Sequence, residues 1–193
     1  MHKAIYLDKN GTIVNDPDPG YVHKIKDFKL LPGVVQGLKK LSSNFIFIVI
    51  TNQSGISRGI HSEGDMHKFD NVLISKLKKE GIEIKRIYYC PHTPEDLCKC
   101  RKQHTKYIKE SEKEFNIDIK NSWVIGDHPH DAEMGIKNGC KSVYLLTGHG
   151  SKHIKDLESR NINPTFVAND FLEAAEFIMS HAKKQSKRQT LNR

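Results

Sequence analysis

The sequence predicts a three-layer α/β fold, a mostly parallel sheet covered by helices on both faces, and three observations carry that expectation. Short apolar runs rich in β-branched and aromatic residues recur along the chain. Between them lie segments with helical spacing. Polar residues able to do chemistry fall directly behind the apolar runs, where sheets of this kind place their ligands.

The first run, Ala4-Ile5-Tyr6-Leu7, ends at Asp8, and Gly11 permits a sharp exit from it. Asn10 to Leu31 is rich in Pro, Gly and Asp and breaks the rhythm, so it reads as a short flap after strand 1. Pro32-Gly33 opens a helix over Val34 to Leu41, followed by the most hydrophobic strand, Phe45 to Ile50, which Thr51 and Asn52 close. Ser62 with Asp65 three residues on has the pattern of a capping box for a helix to Glu80, and Gly81 suits its C′ position. A strand over Ile82 to Tyr89 leads into a second irregular segment, Cys90 to Lys102. A helix over Thr105 to Phe115, a strand at Trp123-Val124-Ile125, a helix over Asp131 to Asn138 ended by Gly139, and a strand over Val143 to Leu146 follow. Asp170 can cap a last helix, Phe171 to Ala182. The alternation makes the fold a Rossmann-like sandwich with both irregular segments on its active face.

A chain of 193 residues, 37% of them hydrophobic, supports one substantial core, so residues 1–182 are read as a single domain. No apolar stretch is long enough to span a membrane, and Met1 to Asp8 lacks a secretory pattern; a cytoplasmic location and no membrane partner are expected. Of the net charge of +8, Lys183, Lys184, Lys187, Arg188 and Arg193 supply five units, leaving +3 for the body. Residues 183–193 therefore read as a basic, solvated and disordered tail, without a nucleic-acid partner, on a monomeric protein.

The chemistry is written at strand ends. A lone Asp-x-x-Gly-Thr is as well explained by an aspartate capping a turn, but Asp8 has company. Gly126-Asp127 offers a second strand-end carboxylate, and Asp131 follows one helical turn on, bracing the site or simply favouring a helix N-terminus. Two carboxylates facing a phosphate repel it and each other unless Mg²⁺ lies between, so the pair implies the metal. Phosphoryl transfer also needs cations and hydrogen-bond donors around the phosphoryl oxygens, which Lys102 and Thr51 are placed to give.

Cys90, His92, Cys98 and Cys100 read C-x-H-x5-C-x-C, three thiols and an imidazole within one short loop. A chain with no export pattern keeps its thiols reduced, and a closed Cys₃His set is the usual form of a structural Zn²⁺ site. Such a site would pin the loop and fix where Arg101 and Lys102 point. Cys140 stands apart as a small buried residue.

The order Asp8, Thr51-Asn52, Lys102, Gly126-Asp127 resembles the haloacid dehalogenase superfamily of phosphotransferases. The resemblance implies that Asp8 is the phosphorylated nucleophile, that Thr51 and Lys102 hold the phosphoryl group, and that Asp127 completes Mg²⁺ binding with Asp8. The residue two past the nucleophile gives the metal its backbone carbonyl, and in the superfamily's phosphatases its carboxyl handles the proton. Here it is Asn10, which keeps the carbonyl and loses the acid. The cysteine loop followed by Arg101-Lys102 resembles two groups of the superfamily, the D-glycero-D-manno-heptose 1,7-bisphosphate 7-phosphatases and the histidinol-phosphate phosphatases. Gly20-Tyr21-Val22-His23 and the run from Thr51 to Gly59 resemble the heptose group, whose activity supplies nucleotide-heptose for surface polysaccharide. That likeness covers about residues 3 to 150 and implies a phosphorylated sugar substrate. Contacts would come from Asp18, Pro19, Gly20, Tyr21, Asn52, Gln53, Ser54, Arg101 and His128, the last replacing a usual lysine. Arg58 adds a further cation for a second phosphate. A silent relative that binds a phosphorylated sugar is the alternative that Asn10 raises.

Overall fold

The computed structural model describes residues 1–16 and 23–191, with side chains up to residue 184. Asp18, Pro19, Gly20 and Tyr21 therefore lie outside the described residues. Six strands, β1 (Ala4–Leu7), β2 (Ile46–Asn52), β3 (Ile84–Cys90), β4 (Trp123–Gly126), β5 (Lys141–Leu145) and β6 (Phe166–Ala168), form one sheet. Its order is β3-β2-β1-β4-β5-β6 and every pairing is parallel. The helices are α1 (Val34–Leu41), α2 (Glu63–Lys79), α3 (Lys106–Phe115), α4 (Pro129–Asn138), α5 (Gly150–Ser159) and α6 (Phe171–Leu191).

Period-two side-chain alternation sorts the core into layers. Ile5, Leu7, Phe47, Val49 and Ile125 face α1, α2 and α6 through Leu38, Phe69, Leu73 and Ile178. Ala4, Tyr6, Ile48, Ile50 and Val124 face the opposite layer through Ile108 of α3 and Met134 of α4. Every residue of β1 is buried, which holds the strand that carries Asp8 rigid.

Local signals match the elements closely. Ser62 and Asp65 make a reciprocal capping box on α2, and Gly81 and Gly139 adopt positive φ after α2 and α4. Asp170 Oδ1 accepts the Glu173 amide at the start of α6. That helix runs past Ala182 to Leu191, since Lys, Gln and Arg are good helix formers and nothing there breaks it. Two elements escaped the sequence reading, α5 and β6. The latter is a three-residue edge strand with one fully buried residue, too little for a periodicity to show.

The strand order reverses direction between β1 and β4, and a sheet of this topology opens a crevice at that switch point, outside the strands' carboxyl ends. The flap root is stitched there, with Val14 bridged to Leu30 and the Lys29 amide donating to Asn15 Oδ1 at 3.1 Å.

Candidate active site

At the switch point β1 delivers Asp8 and β4 delivers Asp127, with Asp131 one turn into α4. Oxygens of these three buried carboxylates lie within 4.8 Å of one another. The crowding is possible because of glycine. Gly11 sits at φ +81°, and a Cβ on it would stand 2.1 Å from Asp127 Oδ2. Thr12 Oγ1 donates to Asp127 Oδ1 at 3.1 Å and the His149 main-chain N–H donates to Oδ2 at 2.8 Å. Lys102 Nζ contacts Asp8 and lies 2.9 Å from Asp131 Oδ1, while Asp131 Oδ2 accepts the His128 amide at 3.1 Å. Asp131 thus does both things its position allowed, bracing the site and capping α4.

One ammonium for three buried carboxylates leaves two negative charges uncompensated. Burial, then Asp8 and Asp131, push Asp127 well above the usual carboxylate range. Burial lifts Asp131 to about 6 against the pull of Lys102. Burial opposes the Lys102 charge, but Asp131 and Asp8 outweigh it and its pKa is raised. A divalent cation with a preference for oxygen ligands fits this deficit, and Asp8 and Asp127 are the residues to hold it.

Thr51, the penultimate residue of β2, is buried and accepts a hydrogen bond from Gln53 Nε2 at 2.9 Å. Asn52 Oδ1 accepts the Lys102 amide at 3.3 Å, so β2 helps fix the lysine. These side chains open on a cleft of about 380 Å³. Asp8, Asn10, Thr51, Asn52, Arg101, Lys102, Asp127 and His128 all line it. Gln53, Ser54 and Arg58 are not among its lining residues; Arg58 is half-exposed, 3.9 Å from Glu95 of the cysteine loop. Asn10 Oδ1 is buried without a hydrogen-bond partner.

Asp16, Pro94, His130 and His149 also line the cleft and were not foreseen. His149 Nε2 lies 3.3 Å from Asp16 Oδ2. Burial and the nearby Asp8 raise Asp16 to about 6 against the opposing pull of His149. His128 stacks on His130, and burial with neighbouring His130 and His153 lowers it to about 3, keeping the ring neutral where a lysine would be charged. Beneath the site Lys9 Nζ pairs with Asp70 of α2 at 2.7 Å, both buried, tying the exit of β1 to that helix.

The cysteine loop gathers its donors on one point. Cys100 Sγ stands 3.0 Å from Cys90 Sγ and 3.4 Å from Cys98 Sγ, Cys90 is 3.5 Å from Cys98, and His92 Nδ1 is 3.2 Å from Cys100. Bonds of about 2.3 Å to one Zn²⁺ put tetrahedral sulfurs about 3.8 Å apart, so a small outward relaxation admits the ion. Arg101 Nη1 donates to the His92 carbonyl at 2.6 Å, so the loop that gathers the donors also aims the guanidinium.

A metal-ready carboxylate pair, a buried lysine and a strand-end threonine at the switch point define a phosphoryl-transfer enzyme on a doubly wound sheet. Comparison with known proteins narrows the class. The family model for HAD-hydrolase-like proteins matches residues 99–174. The D-glycero-alpha-D-manno-heptose-1,7-bisphosphate 7-phosphatase of Campylobacter jejuni is 37% identical over 145 residues, 75% of this chain and 82% of the relative. The D-glycero-beta-D-manno-heptose-1,7-bisphosphate 7-phosphatase of Haemophilus influenzae is 36% identical over 156 residues, 77% and 84% of the two chains. Among solved structures, D,D-heptose 1,7-bisphosphate phosphatase from B. bronchiseptica, complexed with magnesium and phosphate, superposes with a TM-score of 0.83 at 26% identity. That match covers 93% of this chain and 99% of that one. The chain belongs to the haloacid dehalogenase-like hydrolases and is a phosphoric monoester hydrolase.

Proposed function

We propose that this protein is a magnesium-dependent phosphatase that removes the 7-phosphate of D-glycero-D-manno-heptose 1,7-bisphosphate through a phosphoaspartate at Asp8, and that Asn10 slows it. The observation that carries the chemistry is the buried contact of Asp8 with Lys102 beside Asp127 in one cleft. The relatives carry the substrate. Asp8 attacks phosphorus in line with the sugar oxygen, the P–O bond to the sugar breaks, and water later attacks the acyl phosphate to release phosphate and regenerate the carboxylate. Lys102 and the end of β2 at Thr51 neutralise and hold the phosphoryl oxygens. Asp8, Asp127 and the Asn10 backbone carbonyl would hold Mg²⁺, which would supply the charge that lets carboxylate and phosphate meet. Arg101, aimed by the zinc loop, takes the phosphate that is not cleaved. Asp18 to Tyr21, Asn52, Gln53, Ser54 and His128 complete the sugar site, in a cytoplasmic monomer.

Asn10 leaves the departing sugar oxygen without its usual proton donor and the attacking water without a base. Its buried, unpartnered amide oxygen also favours a second reading, a protein that holds the phosphorylated sugar and turns it over too slowly to matter. Phosphate release under single-turnover conditions from both anomers of heptose 1,7-bisphosphate and from histidinol phosphate separates the readings. Release from a heptose anomer, faster than from histidinol phosphate, supports the proposal. Tight heptose bisphosphate binding without release supports the second reading, and preference for histidinol phosphate overturns both.

A further inference from the structure

The residues after β5 make contacts that neither the sequence motifs nor the proposed chemistry use. Thr147 Oγ1 donates to the Gly11 carbonyl at 2.7 Å, across 136 positions of sequence. Two residues on, the His149 N–H donates to Asp127 Oδ2. Between them Gly148 sits at φ +52°, and a Cβ there would stand 2.3 Å from Asp127 Oδ2 and 2.4 Å from Gly11 Cα. The turn is closed on itself, since the Gly150 amide donates to the Thr147 carbonyl at 2.7 Å. One tight turn therefore clasps the exit from β1 and the carboxylate from β4, the two strand ends between which the metal would lie.

We propose that the Thr147-Gly148-His149 turn is a positioning element for Mg²⁺, setting the orientation of Asp127 and its distance from the Asn10-Gly11 backbone. The inference rests on the magnesium site proposed above. With Thr12 on Oδ1 and the His149 amide on Oδ2, both oxygens of Asp127 are fixed in direction, and each keeps lone-pair capacity for a cation. Thr147 does the corresponding work at the other end, because a hydrogen bond to the Gly11 carbonyl restrains the Gly11–Thr12 peptide, one residue past the Asn10 carbonyl. Groups that orient metal ligands in this way typically change metal affinity by about 10- to 100-fold when removed. The element is main-chain in character at Asp127, so the His149 imidazole is dispensable for it.

The test is titration of the full chain with Mn²⁺ alone, standing in for Mg²⁺ and read from the free-ion electron paramagnetic resonance signal. Thr147→Val removes the donor at nearly constant shape and is expected to weaken Mn²⁺ about tenfold or more. Thr147→Ser, which restores the hydroxyl, and His149→Ala, which retains the amide, are expected to bind within about twofold of the parent chain. Should Thr147→Val not fold, Thr147→Ala carries the same expectation. Parent-like affinity in the hydroxyl-less variant, or equal weakening in Thr147→Ser, overturns the inference. A parent chain with no Mn²⁺ site that Asp127→Asn removes would instead overturn the magnesium assignment on which it rests.

Discussion

Replacing Asn10 by Asp tests the account where this chain departs from its superfamily. The side chains have nearly the same shape and Asn10 lines the cleft; its Oδ1 is buried without a partner, and its amide, which hydrogen-bonds Asp16, is replaced by a carboxyl oxygen facing that carboxylate. Burial and Asp8, which lift Asp16 to about 6, act on the new group as well, so a protonated fraction persists toward neutral pH. A positioned acid and base is worth about 10² to 10⁴ in rate, equivalent to about 2.7–5.5 kcal/mol of barrier. Turnover of heptose 1,7-bisphosphate by Asn10→Asp is therefore expected to exceed that of the parent by at least about a hundredfold, with a pH profile that falls on the alkaline side as the acid is lost. The assay is continuous phosphate release across pH with saturating Mg²⁺. A gain below about threefold, against the 10² expected at the least, would refute the reasoning that the missing proton carrier limits the chain.

Two further outcomes follow from the metal sites. Elemental analysis should find one zinc per chain, bound by Cys90, His92, Cys98 and Cys100; Cys98→Ser or a strong chelator should remove it and lower the melting temperature, because the loop has no core of its own. Metal-free protein should also carry a pH-dependent penalty. Asp131 and Asp16 hold protons up to about 6, above the ordinary carboxyl value of 3.8, so the native state binds more protons than the unfolded chain between those values. Stability is fullest below about 4 and is lost as pH rises through about 6. Mg²⁺ relieves the penalty, so its stabilising effect in thermal melts should grow over that range, and a pH-independent effect would contradict the charge deficit.

Much of this was legible in the chain. Strands β1, β2 and β4 announce themselves because a sheet buried on both faces needs unbroken apolar runs, and the rule that ligands lie past strand ends then picks out Asp8, Thr51 and Asp127. The Cys₃His cluster is legible because metal-ligating residue types are recognised at short spacing. Helix α5 carries few buried apolar residues, and β6 pairs only at its edge, so neither leaves a period to detect. The Thr147 turn works through a main-chain amide and a carbonyl far away in sequence, which no residue type encodes. A signal was available all the same, since the strand-end rule applied to β5 points at Leu146 to His149. Arg58 lies 3.9 Å from Glu95, a neighbour visible only once the cysteine loop is folded. Helix α6 continues past Ala182, where lysine and arginine also favour helix.

The central claim is that Asp8 is the nucleophile. Mixing the protein with heptose 1,7-bisphosphate and Mg²⁺, quenching in acid and mapping the chain by mass spectrometry tests it directly. The account expects a single phosphoryl adduct on the peptide bearing Asp8, acid-stable and hydroxylamine-labile, and absent from Asp8→Asn. Phosphate release with no adduct on that peptide, or undiminished release by Asp8→Asn, would contradict it.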